Sequence, residues 1–384
     1  MELPSQSEVD RLLSRRLLLA GGLAAGAAGC SVDRTQVAAP VDHPGTATVA
    51  AAGRHQAGIA SPPDQQAHVT IRIADLTSRP GLATTLARLG RRILSLTAGT
   101  DAHLAGLPVS RLTVTVGLGP AVVRDLLGPA APGAQDLPRF GREEIPAEHR
   151  GGDLLIQICA DDPAIATLAD QSIAAVLGTA ATTRWQSNGV RGFVDASGAR
   201  NLLGFYDGVN VPRTQPELDH DVWLDGPAAV RGGTIAVVRL IRLDIDRFTR
   251  QPVVAQERAI GRRRSDGAPL SGGTIGTAPD LNAKTDDGRY LIPVDAHVRR
   301  AHPLPSGADG LMLRRSYSYA HGAGDQGLIF ISFQRTLRTF IRTQQRLDEQ
   351  DALMAFATTT ASGTFLILPG FDSTHSLGST LFSR

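Results

Sequence analysis

The amino-acid sequence predicts an α+β protein built as two successive halves, each a sheet with helices on one face. Three observations predict it. The 384 residues exceed one ordinary domain and suffice for a large core. From Ala67 onward, stretches of period-two apolar alternation take turns with stretches of helical spacing. The same grammar restarts in the second half, from Gly233.

The elements follow in order. His68 to Ile73 alternates polar and apolar residues, as a half-buried strand does. Gly81 to Leu96 sets Leu82, Leu86, Leu89 and Ile93 on one helical face. Leu112 to Leu118 reads as a second strand, Pro120 to Leu127 as a short helix and Asp153 to Ala160 as a third strand. Pro163 to Leu177 is a second long helix with Asp161 or Asp162 as its cap. Val190 to Val194 is read as a fourth strand. Beyond it, Gly233 to Leu243 and Leu328 to Gln334 are apolar strands, Thr336 to Leu347 and Glu349 to Ala357 are helices, and Thr364 to Leu368 closes the fold.

Ahead of these elements, Ser14-Arg15-Arg16 precedes an apolar run of small residues ending at Ala28-Gly29-Cys30, so residues 1–30 read as a twin-arginine export signal. The run is too short and too rich in Gly and Ala for a membrane span. An extracytoplasmic location is the expectation. Cys30 also resembles a lipoprotein cleavage site, apart from Ala27 where leucine is usual, which leaves a lipid anchor open. Residues 31–54, rich in Ala, Pro, Val, Thr and Gly, read as a linker. Net charge is +2 and Lys284 is the single lysine, so no electrostatic footprint for nucleic acid exists. The other cysteine, Cys159, lies in an apolar stretch, which excludes a disulfide framework and a cysteine zinc site.

Chemistry concentrates between Pro293 and Tyr319. Asp295 is placed to cap a short helix that Pro303 stops, which would fix the ring of His297 in one direction. A histidine held in one tautomer is a usual axial ligand for haem iron. Upstream, Gly204-Phe205-Tyr206-Asp207-Gly208-Val209-Asn210 sets an acid between glycines that allow a tight turn and close approach to a flat ligand. A desolvated carboxylate there could trade a proton with bound peroxide. In Leu311-Met312-Leu313-Arg314-Arg315, apolar neighbours turn at least one arginine inward, where a guanidinium stays charged.

The ordered set Gly-x-x-Asp-Gly, His, Arg resembles the dye-decolorizing peroxidase family, exported branch. So do His55-Gln56-Ala57-Gly58-Ile59 with Pro62-Pro63, and Gln256 to Arg262 with Gly267 to Leu270; the matched segments run from His55 to Phe371. The resemblance implies two tandem ferredoxin-like domains of the dimeric α+β barrel type, over 55–212 and 213–384, with antiparallel sheets, helices outside and haem b in the second. It implies a peroxidase that reduces hydrogen peroxide and oxidises dyes, phenolics or other small reductants. His297 would be the axial ligand, Asp351 would accept its other ring proton, and Asp207 and Arg314 would be catalytic. Gly208, Val209 and Asn210 would lie against the haem, with His302 toward the propionates.

The chain departs from the family pattern in three places. It reads His302-Pro303-Leu304 where Asn-Pro-Arg is common, and the missing arginine would be replaced by His302, Arg239 or Arg242. Tyr206 stands where lysine is common, and Val211 follows Asn210 where proline is usual. Trp185, Trp223, Tyr290, Tyr317 and Tyr319 are candidates to carry oxidising equivalents outward. Two other functions fit the same residues: release of iron from haem with the porphyrin left intact, and haem binding without turnover. The oligomeric state is left open.

Overall fold

The computed structural model describes residues 46–192, 194–195, 198–303 and 310–382. The paired arginines, Cys30 and Leu304 lie outside them. In the first half the order is β1 (His68–Leu76), α1 (Leu82–Thr97), β2 (Thr113–Leu118), α2 (Pro120–Leu127), β3 (Leu154–Ala160), α3 (Pro163–Leu177) and β4 (Ala181–Val190). A small hairpin, β5 (Val194–Asp195) and β6 (Gly198–Ala199), and α4 (Gln215–Asp221) lead onward. The second half runs β7 (Thr234–Leu243), α5 (Ile245–Thr249), α6 (Val253–Ile260), α7 (His297–Ala301), β8 (Leu313–Arg314), β9 (Tyr317–Gly322), β10 (Asp325–Gln334), α8 (Leu337–Gln350) and β11 (Ala357–Ile367).

Each half is an antiparallel sheet of ferredoxin-like order, β2-β3-β1-β4 and β11-β7-β10-β9. The halves meet at both edges, β11 on β2 and β4 on β9, so eight strands close into one barrel. The seams are short. One consists of Leu366 opposite Leu118 and Ile367 opposite Gly117; the other is Val190 opposite Ser318. Gln56 reinforces the first, its amide donating to Val116 O at 2.8 Å and Leu368 O at 2.9 Å while its oxygen accepts from Val116 N at 2.8 Å.

Period-two alternation sorts the strand residues into two cores. Val114, Val116, Ile156 and Val237 face outward against Leu86, Leu89 and Ile93 of α1 and Ile173 of α3. Ile71, Ile73, Leu155, Val238, Ile331 and Phe365 fill the barrel interior. With both faces covered, β3 is buried at every position and apolar at all but Gln157. The cap of α3 is Asp162, which accepts from Ala164 N at 2.7 Å.

Several expectations need correction. The fourth strand is Ala181–Val190 rather than Val190 to Val194, because its inward positions Ser187 and Gly189 carry no apolar signal. The closing strand begins at Ala357, not Thr364, and the second helix expected before it is one turn, Ala352–Phe356. Strand β9 went unread between the arginine pair and the next glycine. Asp295 does not cap α7: Ala296 holds that position, and the Asp295 carbonyl accepts from Ala352 N at 2.9 Å.

Candidate active site

Two segments line a cavity of about 770 Å³, within the usual size of small-molecule and cofactor sites, and a third lies within electrostatic reach of them. The first is the glycine-aspartate loop. Leu203 and Phe205 anchor it in a cluster with Phe248, Ala259 and Ile260, and Asp207 N donates to Ala199 O at 2.9 Å at the end of the hairpin. Asp207 and Gly208 then reach the cavity wall. Asp207 Oδ1 accepts from Gly208 N at 2.7 Å, and Oδ2 has no hydrogen bond among the described residues. Gly208 has φ +66° and nothing within 4 Å of where a Cβ would stand, so backbone faces open space there.

The second segment is the arginine pair, placed where β8 gives way to β9 along the same edge of β10. The two side chains part. Arg315 is tied to the segment before β1, donating to Ile59 O at 3.0 Å, Pro62 O at 2.7 Å and Gln66 Oε1 at 3.3 Å. Arg314 lines the cavity and has no hydrogen-bonded partner among the described residues. Burial pushes its pKa down, opposed by the charge of Asp207.

The third is His297, the first residue of α7. Its Nδ1 lies 2.6 Å from Asp351 Oδ2, whose side chain is fully buried. Asp351 Oδ1 accepts from Leu353 N at 2.8 Å as the cap of the following turn. The two oxygens of Asp351 are thus divided between the ring of His297 and the backbone of the following turn. Burial pushes the His297 pKa down, but the Asp351 charge and hydrogen bond outweigh it and the net shift is upward. Arg314 and Asp207 also act on it, which places all three groups in one electrostatic neighbourhood. An ionised Asp351 puts the proton on Nδ1, so the neutral ring presents Nε2 with a free lone pair. His297 is not part of the wall that Asp207 and Arg314 form, yet 35 % of its side-chain surface stays accessible deep in the protein.

Haem fits this donor set. A histidine with Nδ1 tied to a buried carboxylate, bare backbone at Gly208, and unpaired guanidinium nitrogens on Arg191 and Arg315 in the wall are what an iron porphyrin with acidic side groups requires.

Other expected contacts are not brought to the wall. Val209 lines it, but Asn210 is exposed and does not. The His302 ring turns to its own chain, Nδ1 lying 2.9 Å from Pro303 O. Arg239 and Arg242 are engaged elsewhere, with Glu143 at 2.5 Å and Glu144 at 2.6 Å. Four of the five aromatic candidates are buried, Tyr317 in the cavity wall; Tyr290 alone is exposed, beside Lys284 and Arg299. Sequence reasoning missed Arg191 in the wall. Its only signal was a basic residue before a glycine at the end of a strand that was itself misplaced.

Known proteins align with this architecture. Residues 56–191 match the family description "Dyp-type peroxidase, N-terminal" and residues 198–372 match "Dyp-type peroxidase, C-terminal". The chain is 31 % identical to a deferrochelatase of Yersinia pestis over 96 % of this chain and 94 % of that one. It is 34 % identical to a dye-decolorizing peroxidase of Thermobifida fusca over 68 % of this chain and 66 % of that one. The crystal structure of a DyP-type peroxidase from Streptomyces coelicolor superposes with a TM-score of 0.84 at 34 % identity, covering 90 % of this chain and all of that one. A doubled ferredoxin-like barrel, both family halves in order and a relative matched along almost its whole length together make this chain a member of the Dyp-type peroxidase family.

Proposed function

We propose that His297, Asp207 and Arg314 are the working residues of this haem peroxidase, which reduces hydrogen peroxide and oxidises a small reductant. The single observation that carries the assignment is the 2.6 Å pairing of His297 Nδ1 with buried Asp351, which directs Nε2 outward as a ligand within electrostatic reach of Asp207 and Arg314. Haem held on that nitrogen supplies the electron-transfer chemistry. Asp207 Oδ2 takes the proton from one peroxide oxygen and returns it to the other. Arg314, with no competing partner, donates to the oxygen on which negative charge develops. Leu218, Leu313 and Leu328 bring apolar surface to the wall, which strengthens both interactions.

The test is an absorption spectrum with haem, followed by peroxide turnover. Haem uptake by the native protein and none by His297→Ala supports the ligand; an unchanged spectrum in His297→Ala refutes it. The name of the Yersinia pestis relative favours a second activity, iron release from haem. Free porphyrin accumulating faster than peroxide is consumed would establish it as the principal one.

Export is proposed with this function. Its support is Ser14-Arg15-Arg16 before the apolar run, and Arg15→Lys with Arg16→Lys should hold the protein in the cytoplasm on fractionation. Attachment through Cys30 would show as an acylated mass that Cys30→Ala loses.

A further inference from the structure

Arg191 is a cation of the cavity wall with no counter-ion among the described residues. It follows β4, its backbone N–H donating to Ala67 O at 2.7 Å and its Nη1 to Gln65 O at 3.1 Å. Gln65 in turn donates to Ser316 O at 2.7 Å, which pins Arg191 beside the start of β9. Its Nε is buried and meets no acceptor. Arg315 stands close enough for the two charges to repel, so an anion between the strands would relieve both.

The other guanidiniums of the wall and its surroundings have other duties, Arg213 donating to Gly208 O at 3.1 Å from an exposed position. Arg200 donates to Gly204 O, Arg264 O, Ser265 O and the Tyr206 hydroxyl, and Arg111 is paired with Asp161. Arg315 holds Ile59 O and Pro62 O, and Arg314, which feels the charge of Asp207, is the cation proposed above for the peroxide. With Nη1 of Arg191 spent on Gln65 and Nε buried without an acceptor, the guanidinium is under-satisfied, and a carboxylate is the group that pairs such a fork through parallel hydrogen bonds once the side chain turns toward it.

We propose that Arg191 is the carboxylate receptor of the cavity and takes a propionate of the porphyrin, the contact expected from His302, Arg239 or Arg242. The proposal rests on the haem reading above. It places the acidic side of the cofactor at the seam where β4 meets β9, since Val190 pairs with Ser318 there.

The experiment titrates the apoprotein with haem b and with haem dimethyl ester, following the Soret band. Native protein should prefer the free acid by about tenfold or more, and Arg191→Ala and Arg191→Gln should bring the two affinities together. Arg191→Lys should keep part of the preference. Equal affinities in the native protein would overturn the proposal without recourse to any variant, and so would a preference that survives in both variants. A preference that survives while benzoate binding to the loaded protein is lost in Arg191→Gln would assign the residue to a carboxylate reductant instead, and overturn it too. Native protein that takes up neither pigment would sink the haem reading itself, a result distinct from the others.

Discussion

Asp351 controls a tautomer. Replaced by asparagine, it can still accept from Leu353 N, but its amide then donates to His297 Nδ1 and moves the ring proton to Nε2. Asp351→Asn should therefore weaken haem binding by about 10–100-fold while the fold survives, which a haem titration beside a thermal melt will decide. Asp207→Asn and Arg314→Leu should keep full haem content and lose about 10²–10⁴-fold and 10²–10³-fold in kcat/KM for peroxide. An undiminished rate in either would remove that residue from the chemistry. A different carboxylate supplies a pH test. Burial pushes Asp101 upward, but hydrogen bonds from His103 N, Ser172 and Ser95 and the charge of Arg92 hold it below the ordinary range. Its stabilising effect is present above the unfolded value of about 3.9 and fades as pH falls through the depressed folded one. Asp101→Asn should thus lower the urea midpoint at pH 7 and narrow the gap to native protein near pH 3. Asp207, His297 and Arg314, which the structure brings into one electrostatic neighbourhood, could be picked out of the sequence because each sits in a short motif with its own chemistry. Arg191 could not, since its significance comes from Gln65 and Ser316, residues distant in the chain.

Among the elements, the stretch from Phe140 to Arg150 straps the outer face of the second sheet, with Glu143 beside Thr359 and Arg150 beside Ser362. Under it lies Arg239, 1 % exposed, between the rings of Phe140 and Phe340 and bonded to Glu143 and Gln344. Burial lowers its pKa to about 10 against the pull of Glu143, so the pair is held together by mutual need. Glu143→Ala leaves that cation uncompensated and should cost about 3–5 kcal/mol in chemical denaturation, a loss below 1 kcal/mol speaking against the strap. Helices were readable wherever Leu and Ile recur on one face, as in α1, and wherever an Asp-Pro pair opens them, as in α3. Strands β4 and β11 were not, because the buried positions Ser187, Gly189, Thr359 and Ser362 carry no apolar side chain and so break the alternation.

At the scale of the molecule, the pairing of β2 with β11 and of β4 with β9 makes each half the missing edge of the other. Unfolding should accordingly be one cooperative event, with calorimetric and van't Hoff enthalpies in agreement; two resolved heat peaks would show halves that melt separately. Gln56→Ala, which removes three bonds across one seam, should lower the melting temperature of both halves together. The two-unit pattern in the sequence foretold the halves, whereas the closed ring came only with the family resemblance, because periodicity carries no information about which edges meet. Closure also has a consequence during synthesis. The strand that seals the barrel, Ala357–Ile367, is the last of its eight to leave the ribosome, so the nascent chain carries an unprotected β2 edge until that strand emerges. A premature stop between β10 and Ala357 leaves a gap of one strand between β2 and β7, and such a fragment is prone to self-association whatever the state of its catalytic residues.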